Sequence, residues 1–196
     1  MTIATLDQSR SLRLKTLTTE THEALDSSIM AAAAFDSVEG YAGFAEVQYL
    51  FHRDIDALYD NPDLKTLIPD LELRSRLLLI EADLADLGRS LPRVHEAPVF
   101  SAQGVDVPTA LGWLYVAEGS NMGAALLRKA VAKLGLSDEH GGRHLAPAPG
   151  GPAAHWRTFT AALDALDLTP AEDVRVIAGA KTAFARVQSL ADSRLG

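Results

Sequence analysis

Apolar positions along this chain recur at three- and four-residue spacings, and nowhere do they alternate convincingly as a β-strand would require. From about 9 to 30, Leu14, Thr18, Thr21, Leu25 and Ile29 share one helical face, with His22 on its edge. Asp36-Ser37-Val38-Glu39 offers a D-x-x-E capping box for a helix over about 37–60, and Asn61-Pro62-Asp63 breaks it. A short helical piece near 63–68 precedes one helix from Leu71 to Leu87, with Gly88 as the residue beyond its end. Residues 89–106, carrying Pro92 and Pro98, read as a loop. A long helix over about 107–134 stops at Gly135, and 138–152 form a Gly/Pro-rich surface loop. After a helix over about 153–165, Thr169-Pro170-Ala171-Glu172 places threonine, proline and glutamate at N-cap, N1 and N3 of a last helix to about 193. The pattern predicts an all-α fold, one domain over residues 1–196, with residues 1–8 a flexible start.

Composition narrows the functions. A chain of 196 residues can bury a proper core. No apolar run approaches the length of a bilayer span, and no signal peptide is evident, so a cytoplasmic protein without a membrane anchor is expected. A net charge of −8 argues against a nucleic-acid partner. With no cysteine, disulfides, iron–sulfur clusters held by thiolates, thiolate-ligated haem and cysteine nucleophiles are all excluded. Any metal must be held by histidine or carboxylate.

The long helix carries the strongest local anomaly. Gly112, Gly119 and Gly123 fall within roughly 40° of one another on its surface. Each interior glycine costs a helix about 1 kcal/mol relative to alanine. Bare backbone on that face suits close packing against a second helix, or close approach to a flat ligand. Both readings stand at this point.

Six histidines remain to be weighed. His140 and His144 sit in the Gly/Pro loop with no third ligand nearby, and His95 and His155 read as solvent-facing. There is no Glu-x-x-His, G-x-S-x-G, P-loop or paired-histidine zinc motif. His22 stands out because Asp26, four residues on, can accept its ring N–H and so raise the basicity of the other nitrogen. Lys15, two turns earlier on nearly the same face, can pair with an anionic edge of a bound group. Gln48 and His52, also four apart, suit either a water network or an ordinary polar edge.

Taken together, Leu14-Lys15-Thr16-Leu17-Thr18-Thr19-Glu20-Thr21-His22-Glu23-Ala24-Leu25-Asp26, Gln48-Tyr49-Leu50-Phe51, Ala82-Asp83-Leu84-Ala85-Asp86-Leu87-Gly88 and Leu111-Gly112-Trp113-Leu114-Tyr115-Val116-Ala117-Glu118-Gly119-Ser120 resemble bacterial haem oxygenases. The likeness is to the soluble pseudomonad type and its bacteriophytochrome-associated relatives, in the same order along nearly the whole chain. The resemblance implies a helical bundle in which haem, both substrate and cofactor, lies between a proximal and a distal helix. It makes His22 the iron ligand, Asp26 its hydrogen-bond partner, and Gly119 and Gly123 the distal glycines, with Gly112 left to packing. It also implies cleavage of haem with O2 to biliverdin, CO and ferrous iron, with Tyr115, Ser120 and Lys15 as haem contacts. Gln48, His52 and Arg76 (ahead of Arg74) are expected to hold an ordered distal water.

The departures from the family carry information. Ser120 stands where the mammalian-type motif has aspartate, so proton delivery must differ. Lys15 stands where the pseudomonad enzymes that cleave away from the α position have asparagine, and Ala130 where they have a lysine. Biliverdin IXα is the expected product, with Lys15 gripping a propionate. Electrons are expected from a ferredoxin or flavoprotein reductase; Lys129, Lys133, Arg10 and Arg13 offer a basic rim for an acidic donor or for propionates, and the chain is expected to be a monomer. The rivals are a haem carrier or sensor with the same ligation, a thiaminase-like enzyme (which lacks its cysteine here), and a helical interaction module.

Overall fold

The computed structural model describes residues 8–196, so the expectation for residues 1–8 falls, apart from Gln8, outside the described residues. Seven α-helices follow in order: α1 Arg10–Ala31, α2 Val38–Tyr59, α3 Pro62–Leu67, α4 Leu77–Asp86, α5 Val107–Ala132, α6 Pro152–Ala165 and α7 Pro170–Leu195. Among the described residues there is no β-strand. No described helix is long and apolar enough to cross a membrane.

Local chemistry sets the helix starts. Asn61 accepts from Leu64 N at 3.0 Å with Pro62 following, and Asp106 accepts from Thr109 N at 3.1 Å. Thr169 and Glu172 form a complete reciprocal capping box behind Pro170. Each such cap contributes about 1 kcal/mol. The box expected at Asp36 does not form: Ser37 is the N-cap and accepts from Gly40 N at 3.0 Å. Gly88 and Gly135 do take the positive φ of helix-terminating residues, at 70° and 83°.

The helix expected over Leu71–Leu87 is two pieces. Leu71–Arg74 is a 3-10 turn, and α4 begins only after Arg76, its N-cap. Periodicity continues through the break because Leu71, Ile80 and Leu84 are all fully buried.

The centre of the bundle is the crossing of α5 on α7. A Cβ on Gly112 would overlap the Val176 carbonyl and lie 2.5 Å from Ala180 N, and one on Gly179 would overlap the Thr109 carbonyl. Here the two backbones touch, so Gly112 belongs to packing, as the sequence reading had it. Around this contact Trp113 stacks on Phe51 at 5.8 Å and meets Phe100 edge-on at 5.4 Å, pinning the 89–106 loop to the core. Both α1 and α5 pack on α6 and α7, while making little or no direct contact with each other.

Candidate functional site

The stripe of glycines divides at Gly119. Every residue of α5 from Ala110 to Glu118 is buried, whereas Ser120, Met122, Gly123, Ala125 and Leu126 are exposed. Above Gly119 lies Trp156 of α6, 3.6 Å from where a Cβ would be, and the Trp156 ring meets Tyr115 at 5.4 Å. Tyr115 is itself buried, which together with the Asp164 charge pushes its hydroxyl pKa up to about 12. A Cβ on Gly123 would have nothing within 4 Å. The same face of one helix is therefore backbone-to-backbone at Gly112, roofed by an indole at Gly119 and open at Gly123.

On α1, Leu14, Thr18 and Leu25 are buried, while Lys15, His22 and Asp26 face outward together. The His22 side chain is 58% exposed; its Nε2 lies 3.6 Å from Asp26 Oδ2, too long for a hydrogen bond, and its ring is 5.7 Å from Phe184. Among the described residues it makes no hydrogen bond, so its lone pair is free for a ligand. His22 on α1 is thus an exposed imidazole and Gly123 on α5 a bare backbone, on two helices joined through α6 and α7.

Gln48, His52, Arg76, Ser120, Asn121 and His144 line a cavity of about 40 Å³, room for about three waters. Four of these come from the sequence reading, from helices α2 and α5 and the start of α4. His52 is buried, with Nδ1 unpartnered; burial, then the nearby His144 and Arg76, lower its pKa to about 3, so it is neutral. Ser120 donates to Ala117 O at 2.7 Å. Arg76 is half-buried and donates from Nη1 to Ala146 O at 3.1 Å.

His144 was missed. The segment read as a surface loop turns inward, burying Gly141, Gly142, His144 and Leu145. Its anchor is α4. Fully buried Asp83 accepts from His144 Nδ1 at 2.8 Å, His144 N at 2.9 Å and Arg143 N at 2.9 Å, while Asp86 accepts from Gly141 N at 2.8 Å. Burial raises the Asp83 pKa, but the bonds from the His144 ring and from the His144 and Arg143 amides outweigh it and hold the carboxyl below its ordinary value. As a carboxylate it holds the His144 ring through Nδ1, which leaves Nε2 buried and without a partner. The signal for this was Asp83 and Asp86, three apart on one face, but nothing local says what they bind.

His155 is likewise not solvent-facing. Its Nε2 lies 2.9 Å from Glu118 Oε2, which also accepts from Arg74 Nη1 at 2.8 Å. This buried cluster ties α5 to α6 and to the turn before α4, and it accounts for the carboxylate beside Gly119. Arg10 and Arg13 are no part of a basic rim. Both pair with Asp173 at 2.6 Å, and Arg10 also donates to the Leu163 and Leu166 carbonyls.

Comparison with known proteins decides among the readings of this geometry. The sequence model of the "Heme oxygenase" family matches residues 8–192. The chain belongs to the haem oxygenase family. It is 42% identical over 185 residues to haem oxygenase PigA of Pseudomonas aeruginosa, covering 92% of this chain and 90% of that one. The crystal structure of the NO- and CO-bound haem oxygenase of Neisseria meningitidis superposes with a TM-score of 0.89 at 40% identity, covering 96% of this chain and 92% of that one. Haem oxygenase of Leptospira interrogans shares the fold, with a TM-score of 0.76 at 22% identity over 95% of this chain and all of that one. The all-α reading and the resemblance drawn from the sequence both hold.

Proposed function

We propose that this haem oxygenase grips its substrate between α1 and α5, with His22 on the iron and the Gly123 backbone over the opposite face, Gly119 lying one turn away under the Trp156 indole. The enzyme degrades haem to biliverdin with electrons from a reductant, as membership of the family entails. The observation that carries the placement is the pairing of a free, exposed imidazole on α1 with a Gly123 backbone that meets nothing on α5.

Haem supplies an iron that binds O2 next to the macrocycle's own meso carbons. What the chain supplies is position and protons. His22 would hold the iron as an imidazole ligand, which gives less electron push than a thiolate. Bare backbone at Gly123 lets α5 lie flat on the ring and leaves no side chain to compete for the oxygen site. The cavity beside Ser120 holds water against Gln48, His52 and Arg76, and the unpartnered His144 Nε2 gives that water a further polar contact. His52 stays neutral, so it offers a donor and an acceptor without placing a buried charge there.

Asp26, with Oδ2 3.6 Å from His22 Nε2, acts on the imidazole through its charge and not through a hydrogen bond. Lys15, on the same exposed face, pairs with a propionate and sets the ring for IXα cleavage, while Tyr115 backs the site through Trp156. The donor is of ferredoxin or flavoprotein-reductase type, and with Arg10 and Arg13 engaged elsewhere, Lys129 and Lys133 are the cations left to meet it. The chain works as a cytoplasmic monomer of one domain. The test is to mix the purified chain with haem and add reductant under air. The expected result is a Soret band that decays as biliverdin absorption grows. A stable Soret band without biliverdin would make it a carrier.

A further inference from the structure

A second, larger pocket of about 320 Å³ opens on the outer side of the partition that closes the water cavity. The partition is the segment 143–146. His144 and Leu145 line the inner cavity, and Arg143 and Ala146 line the outer pocket. Arg76 borders both spaces, and its bond to Ala146 O fastens it into the partition.

The charges around the outer pocket are unevenly occupied. Arg143 is paired to Asp83 and Asp86, His155 to Glu118, and Asp138 at the rim to Arg128. Arg76, though half-buried, has no carboxylate within ion-pair distance among the described residues. The Glu118 charge reaches it from beyond ion-pair distance but is already shared by Arg74 and His155, so the planar fork of Arg76 has donors left for a carboxylate. The other walls are apolar, with Leu73, Leu79, Pro147 and Pro149. Asp138 at the rim disfavours a dianion. The volume suits a molecule of one ring or a short chain.

We propose that this outer pocket is a binding site for a small monocarboxylate with an apolar body, seated on Arg76, and that its occupancy is felt in the inner cavity through the same guanidinium. An anion drawn onto Arg76 from outside competes for the donors that otherwise reach the inner water. The coupling, though not the binding, rests on the haem oxygenase reading of the inner cavity.

The probe is benzoate, with inorganic phosphate for comparison, titrated into the ¹⁵N-labelled haem-free chain. Saturable amide shifts at Ala146, Ala148 and His155 are expected, with Kd on the order of 1 mM for a single forked pair in an open pocket. Leu73→Glu puts a like charge at the mouth on a side chain that is 78% exposed, so the fold is spared and benzoate affinity falls about fivefold. Arg76→Lys keeps the charge and loses the fork, and also weakens binding. Absence of saturable shifts, tighter binding of phosphate, or unchanged affinity in Leu73→Glu would each overturn the site. In the ferric haem complex, benzoate shifts the visible spectrum of the wild type at concentrations that leave Leu73→Glu unaltered. Saturated benzoate with no spectral change would overturn the coupling while leaving the site standing.

Discussion

Alanine at Gly112 and alanine at Gly123 add one methyl group to the same face of the same helix, with opposite consequences. Each substitution gains about 1 kcal/mol in helix propensity. At Gly112 the new Cβ overlaps the Val176 carbonyl and sits 2.5 Å from Ala180 N. Both obstacles are backbone, so no rotamer change relieves them, and α5 must lift off α7. Overpacking of this kind costs about 1–3 kcal/mol in ordinary cores, and a backbone neighbour puts Gly112 at or above the upper end. A net loss of about 2 kcal/mol follows, or a fall of about 6 °C in thermal midpoint for a chain of this size. At Gly123 the Cβ meets nothing within 4 Å, and the propensity gain stands unopposed. The haem-free chain should melt about 3 °C higher. The order reverses for haem. Gly123→Ala should weaken haem binding about tenfold and Gly123→Leu should block it, whereas Gly112→Ala should bind haem normally below its melting range. Circular dichroism melts of the haem-free variants and haem titrations followed at the Soret band give both columns. A lower melting point in Gly123→Ala, or wild-type haem affinity in Gly123→Leu, would refute the division of the stripe.

Three further outcomes are expected. Burial holds the His52 pKa near 3, below its value of about 6.5 in the unfolded chain, so its contribution to stability is complete above pH 6.5 and is lost as pH falls towards 3. Urea unfolding at pH 5 should show about 2 kcal/mol less stability than at pH 7 from this group, and His52→Gln should remove that slope. Arg74→Met leaves Glu118 buried opposite His155 alone, at a cost of about 3 kcal/mol in the same assay; an unchanged midpoint would show that His155 suffices. Lys15→Asn should redistribute the biliverdin isomers away from IXα on chromatography, and a wild-type product that is not predominantly IXα would sink the role given to Lys15.

How much of this was legible in the sequence depends on the range of the interaction. Helix ends set by neighbours, such as Asn61-Pro62, Thr169-Pro170 and Gly88, could be read because the capping partner lies within four residues. Gly112 could be assigned to packing because it shares a stripe with two glycines that the motif takes for another use. The break before Arg76 was hidden, since leucines stay in helical register across the 3-10 turn. Asp83 and Asp86 belong to a stretch that already pointed to the family, yet their partners lie about 60 residues on, in a segment whose glycines and prolines look like solvent-facing loop. The same holds for Glu118, 37 residues from His155. Composition and periodicity describe which residues are buried; they do not say which buried charge finds which partner. Arg10 and Arg13 show the cost of counting charges without that knowledge, because Asp173 takes both.

The most direct test of the site is the ferric haem complex of His22→Ala, recorded by visible absorption and electron paramagnetic resonance with and without added imidazole. The site described here predicts loss of the histidine-ligated spectrum and its recovery when imidazole fills the space left on α1. A variant whose spectrum matches the wild type without imidazole would contradict it.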